Sequence, residues 1–357
     1  MIFSRLFKKS YPHLDWIQVE ISSICNGKCV YCPHTEYRTN WQNRLLPMEL
    51  FQKITPAFAR TKLVHLQGWG EPFTHPHFMD FLRLAKKEDC LVGTTTNGTM
   101  LDSEKIKEFV DEGLDIIGFS LVGIDEKNDS IRRGTRISEV LRCIDEIHRI
   151  RNSYSTDNPR IHIAYMLLRS GLNDMHKIPA FSVNSGISQT VISSLSLVVS
   201  SAMETESILA SDKKECRKLM NDFYQIRKEA EDQGTEISFN IVSPLMEESY
   251  CSENIERALF VGSDGSVSPC VMAQIPVEGD NFHYFRGKRQ PVRRLAFGNI
   301  SDESLNTIWN KKEYKNFINS FIRDKTVPFC KDCLKHFILD LQEDSVHYQD
   351  PVGVFFP

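Results

Sequence analysis

From residue 16 to about residue 200 the chain alternates short apolar or β-branched runs with longer stretches whose apolar residues recur every three or four positions. The short runs are WIQVEIS (16–22), LVHLQ (63–67), CLVGTTT (90–96), LDIIGFSL (114–121), RIHIAYML (160–167) and QTVISSL (189–195), and they predict strands. The longer ones, PMELFQKITPAFAR, HFMDFLRLAKKE, SEKIKEFVDEG and ISEVLRCIDEIHRIRN, predict amphipathic helices, two of which open after Asp or Ser in capping positions. Strands alternating with helices imply a parallel sheet, and six β/α units in series can curl it into a full or partial barrel.

A further helical stretch, DKKECRKLMNDFYQIRKEAEDQG, ends this pattern. Beyond it EISFNIVSP, RALFVG, SVSPCVM and LAFGNI are short strand candidates separated by Gly, Asp and Pro turns, which predicts a second, smaller region. The expected fold class is therefore α/β: a partial (β/α)6 TIM-type barrel over residues 1–234, and a small C-terminal α+β domain over 235–357. The chain shows no internal repeat, no low-complexity tract and no long linker.

At 357 residues the chain can bury a sizeable core. Its 41% hydrophobic content, 25% charged content and net charge of −4 give no global basic field for nucleic acid and no acidic excess for disorder. The N-terminal MIFSRLFKKSYPHLDW mixes cations with apolar residues, and nowhere are there the ~18 consecutive apolar residues that a membrane span needs, so a cytoplasmic location is expected. That compartment keeps thiols reduced, which makes the ten cysteines candidates for metal ligation rather than for disulfides. Cys90, Cys143 and Cys216 stand singly in helix-like surroundings and read as core packing.

The stretch CNGKCVYC places Cys25, Cys29 and Cys32 in one short loop after the first predicted strand. Three thiolates can hold a 4Fe–4S cube and leave one iron open to a further ligand. A zinc site is the alternative, and it would need a fourth ligand, for which His34 is at hand.

The spacing, with an aromatic before the last cysteine, resembles the signature of the radical S-adenosylmethionine (SAM) superfamily. The rest of that pattern follows in order: Gly68-Trp69-Gly70-Glu71-Pro72 after the second strand, Thr96-Asn97-Gly98 after the third, Ser120 in FSLVG and Arg132 in IRRGT. The resemblance spans residues 15 to about 200 and sets the site at the C-terminal ends of the strands. It implies that Cys25, Cys29 and Cys32 hold a [4Fe–4S] cluster, whose open iron takes the amino and carboxylate groups of SAM. It further implies that Tyr31 lies near the adenine, and that the Gly68–Gly70 backbone and Glu71 receive the methionine ammonium. Asn97 joins the same cofactor-binding set, and Ser120 and Arg132 meet the ribose or the carboxylate. Simpler roles are open for two of these: Glu71 could start a helix, and Arg132 could pair with Asp129.

In the second region Cys251, Cys270, Cys330 and Cys333 form a four-thiol set around an expected SDG turn at 263–265. The Cys-x13-Gly-x4-Cys element followed by Cys-x2-Cys resembles the twitch domain, the short form of the SPASM domain, and implies one auxiliary [4Fe–4S] cluster. LKHFILDLQEDSVHYQDPVGVFFP lacks the further cysteines of the full pattern, so two clusters in total are expected. Four thiolates would satisfy a structural zinc equally well. The basic RGKRQPVRR segment reads as a solvated loop, and His75 and His77 as turn residues.

As a whole the resemblance implies an enzyme that cleaves SAM reductively and abstracts hydrogen from its substrate, with a flavodoxin- or ferredoxin-type electron donor. The substrate class is a peptide or protein first, and a small molecule undergoing dehydrogenation second. With the first strand near residue 16, no leader-binding or cobalamin domain is expected ahead of the barrel. A non-catalytic iron–sulfur or zinc protein is the alternative of a different class, and it leaves Glu71, Asn97 and Ser120 unexplained.

Overall fold

The computed structural model describes residues 11–210, 212–242, 249–285, 287–324, 326–339, 348–349 and 355–356. All six predicted strands are present: β1 (Leu14–Val19), β2 (Thr61–Leu66), β3 (Leu91–Thr96), β4 (Ile116–Leu121), β5 (Arg160–Leu167) and β6 (Gln189–Ser194). They continue as β7 (Glu236–Val242), β8 (Ser249–Tyr250), β9 (Ala258–Val261), β10 (Ser266–Ser268), β11 (Gly298–Asn299) and β12 (Ile338–Leu339) in one twelve-stranded sheet of order β8-β12-β7-β6-β5-β4-β3-β2-β1-β9-β10-β11.

Eight of these strands, from β7 through β1 to β9, pair in parallel, so the barrel sheet is two strands longer than the six read from the sequence. β7 alternates Ile237, Phe239 and Ile241 with Ser238 and Asn240, a pattern that suits a strand with an apolar outer face and a polar inner one. β9 extends the other edge, running beside β1 with Trp16 opposite Ala258 and Val19 opposite Val261.

The alternation within β1 shows how the layers form. Ile17 and Val19 join the main core beneath the helices, whereas Trp16 packs with Leu63, Ile116 and Ala258 inside the sheet. The covering helices include α1 (Met48–Ile54), α2 (Phe78–Lys86), α3 (Ser103–Asp111), α4 (Ile137–Tyr154), α5 (Ile178–Asn184) and α6 (Lys213–Asp232). Asp102 caps α3 by accepting the Lys105 N–H at 2.8 Å, and Asp212 caps α6 through Lys214 and Glu215. The lone cysteines Cys90, Cys143 and Cys216 are all buried. Among the described residues no helix is long and apolar enough to cross a membrane.

The expected turn after β9 is present: Gly262 N–H donates to Ser266 O at 2.9 Å, and Gly265 adopts φ +80°, a conformation glycine accepts without strain. β9 and β10 thus form an antiparallel hairpin that carries the chain from Cys251 to Cys270.

Candidate functional site

The loop that follows β1 is fastened at both ends. Lys28 and Cys29 pair antiparallel with Arg133 and Arg132, and Val30 N–H donates to Ile131 O at 3.0 Å, tying the cysteine loop to the segment beyond β4. Cys29 is buried while Cys25 and Cys32 are half-buried. Burial pushes the Cys25 thiol up to about 11 and that of Cys32 up to about 12, so both carry protons until a cation displaces them.

All ten residues singled out in the barrel, Cys25, Cys29, Tyr31, Cys32, Gly68, Gly70, Glu71, Asn97, Ser120 and Arg132, line one cavity of about 350 Å³ at the C-terminal ends of the strands. Gly27 borders the thiols: a β-carbon there would stand 3.5 Å from Cys25 Sγ and 3.8 Å from Cys29 Sγ.

Glu71 is 3% exposed and lines the cavity. Its carboxylate accepts from Thr96 Oγ1 at 2.7 Å, Asn97 N–H at 2.7 Å and Phe73 N–H at 3.3 Å, tying the β2 exit to the β3 exit and capping the turn Pro72–Thr74. Burial nonetheless raises its pKa against those hydrogen bonds. Asn97 Nδ2 donates to Asn26 Oδ1 at 2.8 Å, a further strut under the cysteine loop. Arg132 does not pair with Asp129. It donates from Nη1 to Tyr31 Oη, while Asp129 accepts the Ile137 N–H at 2.8 Å, and Arg132 Nε is buried without a partner.

Gly68 and Gly70 have a cause beyond approach to a ligand. A β-carbon on Gly68 would lie 2.4 Å from the Glu20 side chain, and one on Gly70 would lie 2.4 Å from Ser22 O, so the loop packs directly on the end of β1. Glu20 itself was not legible as a site residue. Its carboxylate accepts from Trp69 N–H at 2.8 Å, Ser263 N–H at 3.2 Å and Ser263 Oγ at 2.7 Å, and burial pushes it up to about 7. One buried side chain thus joins β1, the Gly68–Glu71 loop and the turn ahead of Cys270. The available signal was the alternation of Gln18, Glu20 and Ser22 in WIQVEIS, of which Gln18 lines the cavity.

Cys251, Cys270, Cys330 and Cys333 line a second cavity, together with Ser196, Glu253 and Lys335, and those last three residues line the first cavity too. Glu253 and Lys335 pair at 2.9 Å, so an ion pair forms the wall between the two thiol sets. Burial pushes the thiols of Cys251 and Cys270 well up. Among the described residues no three His, Cys, Asp or Glu side chains are gathered closely enough for a single ion, whose thiolates would stand about 3.8 Å apart around zinc.

The two histidines hold turns. His75 Nε2 meets Leu46 O at 3.1 Å and His77 Nδ1 meets Asp80 at 3.0 Å, and neither lines either cavity. In the basic segment Arg294 pairs with Asp264, and Arg289 lies 3.6 Å over the Phe282 ring.

The radical SAM superfamily profile matches residues 19–162, and that of the SPASM iron–sulfur cluster-binding domain matches residues 251–334. A tungsten-containing aldehyde ferredoxin oxidoreductase cofactor-modifying protein of Pyrococcus furiosus is 25% identical over 326 residues, spanning 90% of this chain and 87% of its own. A GTP 3′,8-cyclase of Chlorobaculum tepidum is 30% identical over 173 residues, 47% of this chain and 49% of its own. Among solved structures, Streptococcus suis SuiB bound to the precursor peptide SuiA superposes with a TM-score of 0.62 at 15% identity, over 92% of this chain and 71% of that one. The enzyme anSMEcpe with bound AdoMet and the Cp18Cys peptide gives 0.60 at 18% identity, over 92% and 91%. At such identities the structural likeness speaks for the fold. The chain belongs to the radical SAM superfamily, whose core binds a 4Fe–4S cluster and SAM, and it carries a C-terminal SPASM domain that binds auxiliary iron–sulfur clusters.

Proposed function

We propose that this enzyme carries out an oxidative maturation of a peptide or protein, initiated by hydrogen abstraction. The observation that carries the reading is the shared wall: the cavity lined by the CNGKCVYC thiols and the four-cysteine cavity have Ser196, Glu253 and Lys335 in common. A substrate in the first cavity would therefore touch the wall of the second. When bound, the cluster supplies the electron that divides SAM into methionine and a 5′-deoxyadenosyl radical able to take hydrogen from an unactivated C–H bond.

The protein's part is placement. In this reading Cys25, Cys29 and Cys32 hold the first cluster, and Cys251, Cys270, Cys330 and Cys333 hold one auxiliary [4Fe–4S] cluster. Glu71 and the Gly68–Gly70 backbone receive the ammonium of SAM, with Asn97 beside them. Ser120 and Arg132 meet the ribose or carboxylate, and Tyr31 lies by the adenine. Arg132 suits an anionic oxygen because its buried Nε still lacks a partner. Residues 1–234 serve as the radical core, to whose sheet β7 and β9 of the 235–357 auxiliary region are added, and Ser252, Glu253, Val271 and Lys335 of that region wall the cavity.

Small-molecule or cofactor oxidation is the second reading. It is favoured by the Pyrococcus furiosus relative, a cofactor-modifying protein aligned over 90% of this chain. Anaerobically reconstituted protein given dithionite and SAM should form 5′-deoxyadenosine, measured by chromatography. No product with the first site filled would overturn the enzyme reading. A stable product of lower hydrogen content from a peptide, or from a small molecule, would choose between the substrates.

A further inference from the structure

We propose that Lys28, Arg133 and Arg136 form the docking face for a small acidic one-electron carrier protein, an inference that rests on the reductive reading above. The two-residue ladder beside the cysteine loop sets Lys28 directly opposite Arg133. Like charges face to face across a ladder are unfavourable, yet among the described residues neither is paired with a carboxylate. Arg136 follows at the start of α4, where the free N–H groups of the helix add to the positive field. All three side chains are exposed. Asp129, the carboxylate on the same segment, is occupied by the Ile137 N–H.

This cationic face lies beside the cysteine loop. Lys28 precedes the proposed ligand Cys29 in the chain, and the Gly134 turn lies on the loop, a β-carbon there reaching 3.4 Å from Asn26 O. The chain as a whole carries −4, so a local cationic face would orient an acidic partner that the molecule otherwise repels. The cations of the 286–294 segment make a poorer face, since Arg289 is stacked on Phe282 and Arg294 is paired with Asp264. One electron leaves the carrier, which is oxidised by one equivalent, and the oxidised cluster is reduced by one; no atom is transferred.

The test uses reduced flavodoxin as the probe and the reconstituted full chain, comparing wild type, Lys28→Gln/Arg133→Gln/Arg136→Gln and, as a control, Lys288→Gln/Arg289→Gln. Flavodoxin affinity is read by calorimetry at low and high salt, and 5′-deoxyadenosine formation is driven in parallel by flavodoxin and by dithionite. The expected result is roughly a tenfold loss of affinity in the first variant at low salt, with the wild-type advantage vanishing at high salt. Its flavodoxin-driven rate falls with the affinity, while its iron content and dithionite-driven rate stay at wild-type values. Unchanged affinity in the first variant, or a loss confined to the control, overturns the docking face. A wild type that yields no product with dithionite overturns the enzymatic reading instead, and the binding arm still decides the docking face.

Discussion

The two thiol sets are built on opposite principles. The first comes from eight consecutive residues at the exit of one strand, held by a two-residue ladder and by Asn97, so its geometry is largely local. The second is gathered from Cys251 before β9, Cys270 after β10, and Cys330 and Cys333 beyond α7 (Lys312–Asp324), and exists only when the whole C-terminal region has folded. A local loop can offer three ligands and keep a fourth position open for chemistry. A set assembled from distant segments binds its metal and fixes its fold in one event.

The largest expected effect is on the local set. Replacing Cys25, Cys29 and Cys32 by Ala should abolish 5′-deoxyadenosine formation and remove about half of the bound iron, with the thermal midpoint little changed. Product formation at any measurable rate would contradict the assignment. Cys330→Ala with Cys333→Ala should do the reverse: about half of the iron goes and the thermal midpoint falls because metal and fold are coupled. SAM cleavage persists in the remaining protein while substrate turnover is lost. Unaltered turnover would reduce the second set to scaffolding.

Glu71→Gln probes the joint between ligand and scaffold. Loss of the charged contact to the SAM ammonium should weaken SAM binding about tenfold or more, read by equilibrium dialysis. The amide also turns an N–H toward the Asn97 N–H or, in the other flip, toward the Thr96 hydroxyl and Phe73 N–H, which costs about 1–3 kcal/mol of stability. A lower melting point with SAM affinity intact would make Glu71 a cap alone.

The smallest effect is on the side chain that joins the two regions. Glu20 is held at about 7 by burial, above the ~4.3 of an unfolded chain. Between these values the folded protein keeps a proton that the unfolded chain has released, so this contribution is fully present below pH ~4.3 and is lost as the pH rises to about 7. Gln cannot lose a proton. The melting point of Glu20→Gln relative to wild type should therefore rise by about 2–4 °C from pH 5 to pH 8, and a pH-independent difference would refute the burial argument.

Much of this was legible because it is encoded locally. The six strands announced themselves by alternation and by the helices between them, and the cysteine, Gly68–Glu71, Asn97 and Ser120 positions follow from motifs at strand ends. What could not be read is pairing between distant segments. Nothing in RALFVG says that it will lie beside Trp16 to Val19, and nothing in Glu253 or Lys335 says that they will meet across two cavities. Glu20 was hidden for a related reason. A carboxylate inside an apolar strand is informative only once Trp69 and Ser263 are seen to donate to it.

The pairing of β9 with β1 also has a temporal side. During synthesis β1 emerges early, but its outer flank stays uncovered until β9 is made, after the rest of the parallel run. The CNGKCVYC segment is therefore made well before Cys251, Cys270, Cys330 and Cys333. Chain direction alone lets the three-thiol loop and its ladder form before the four-thiol set can be gathered.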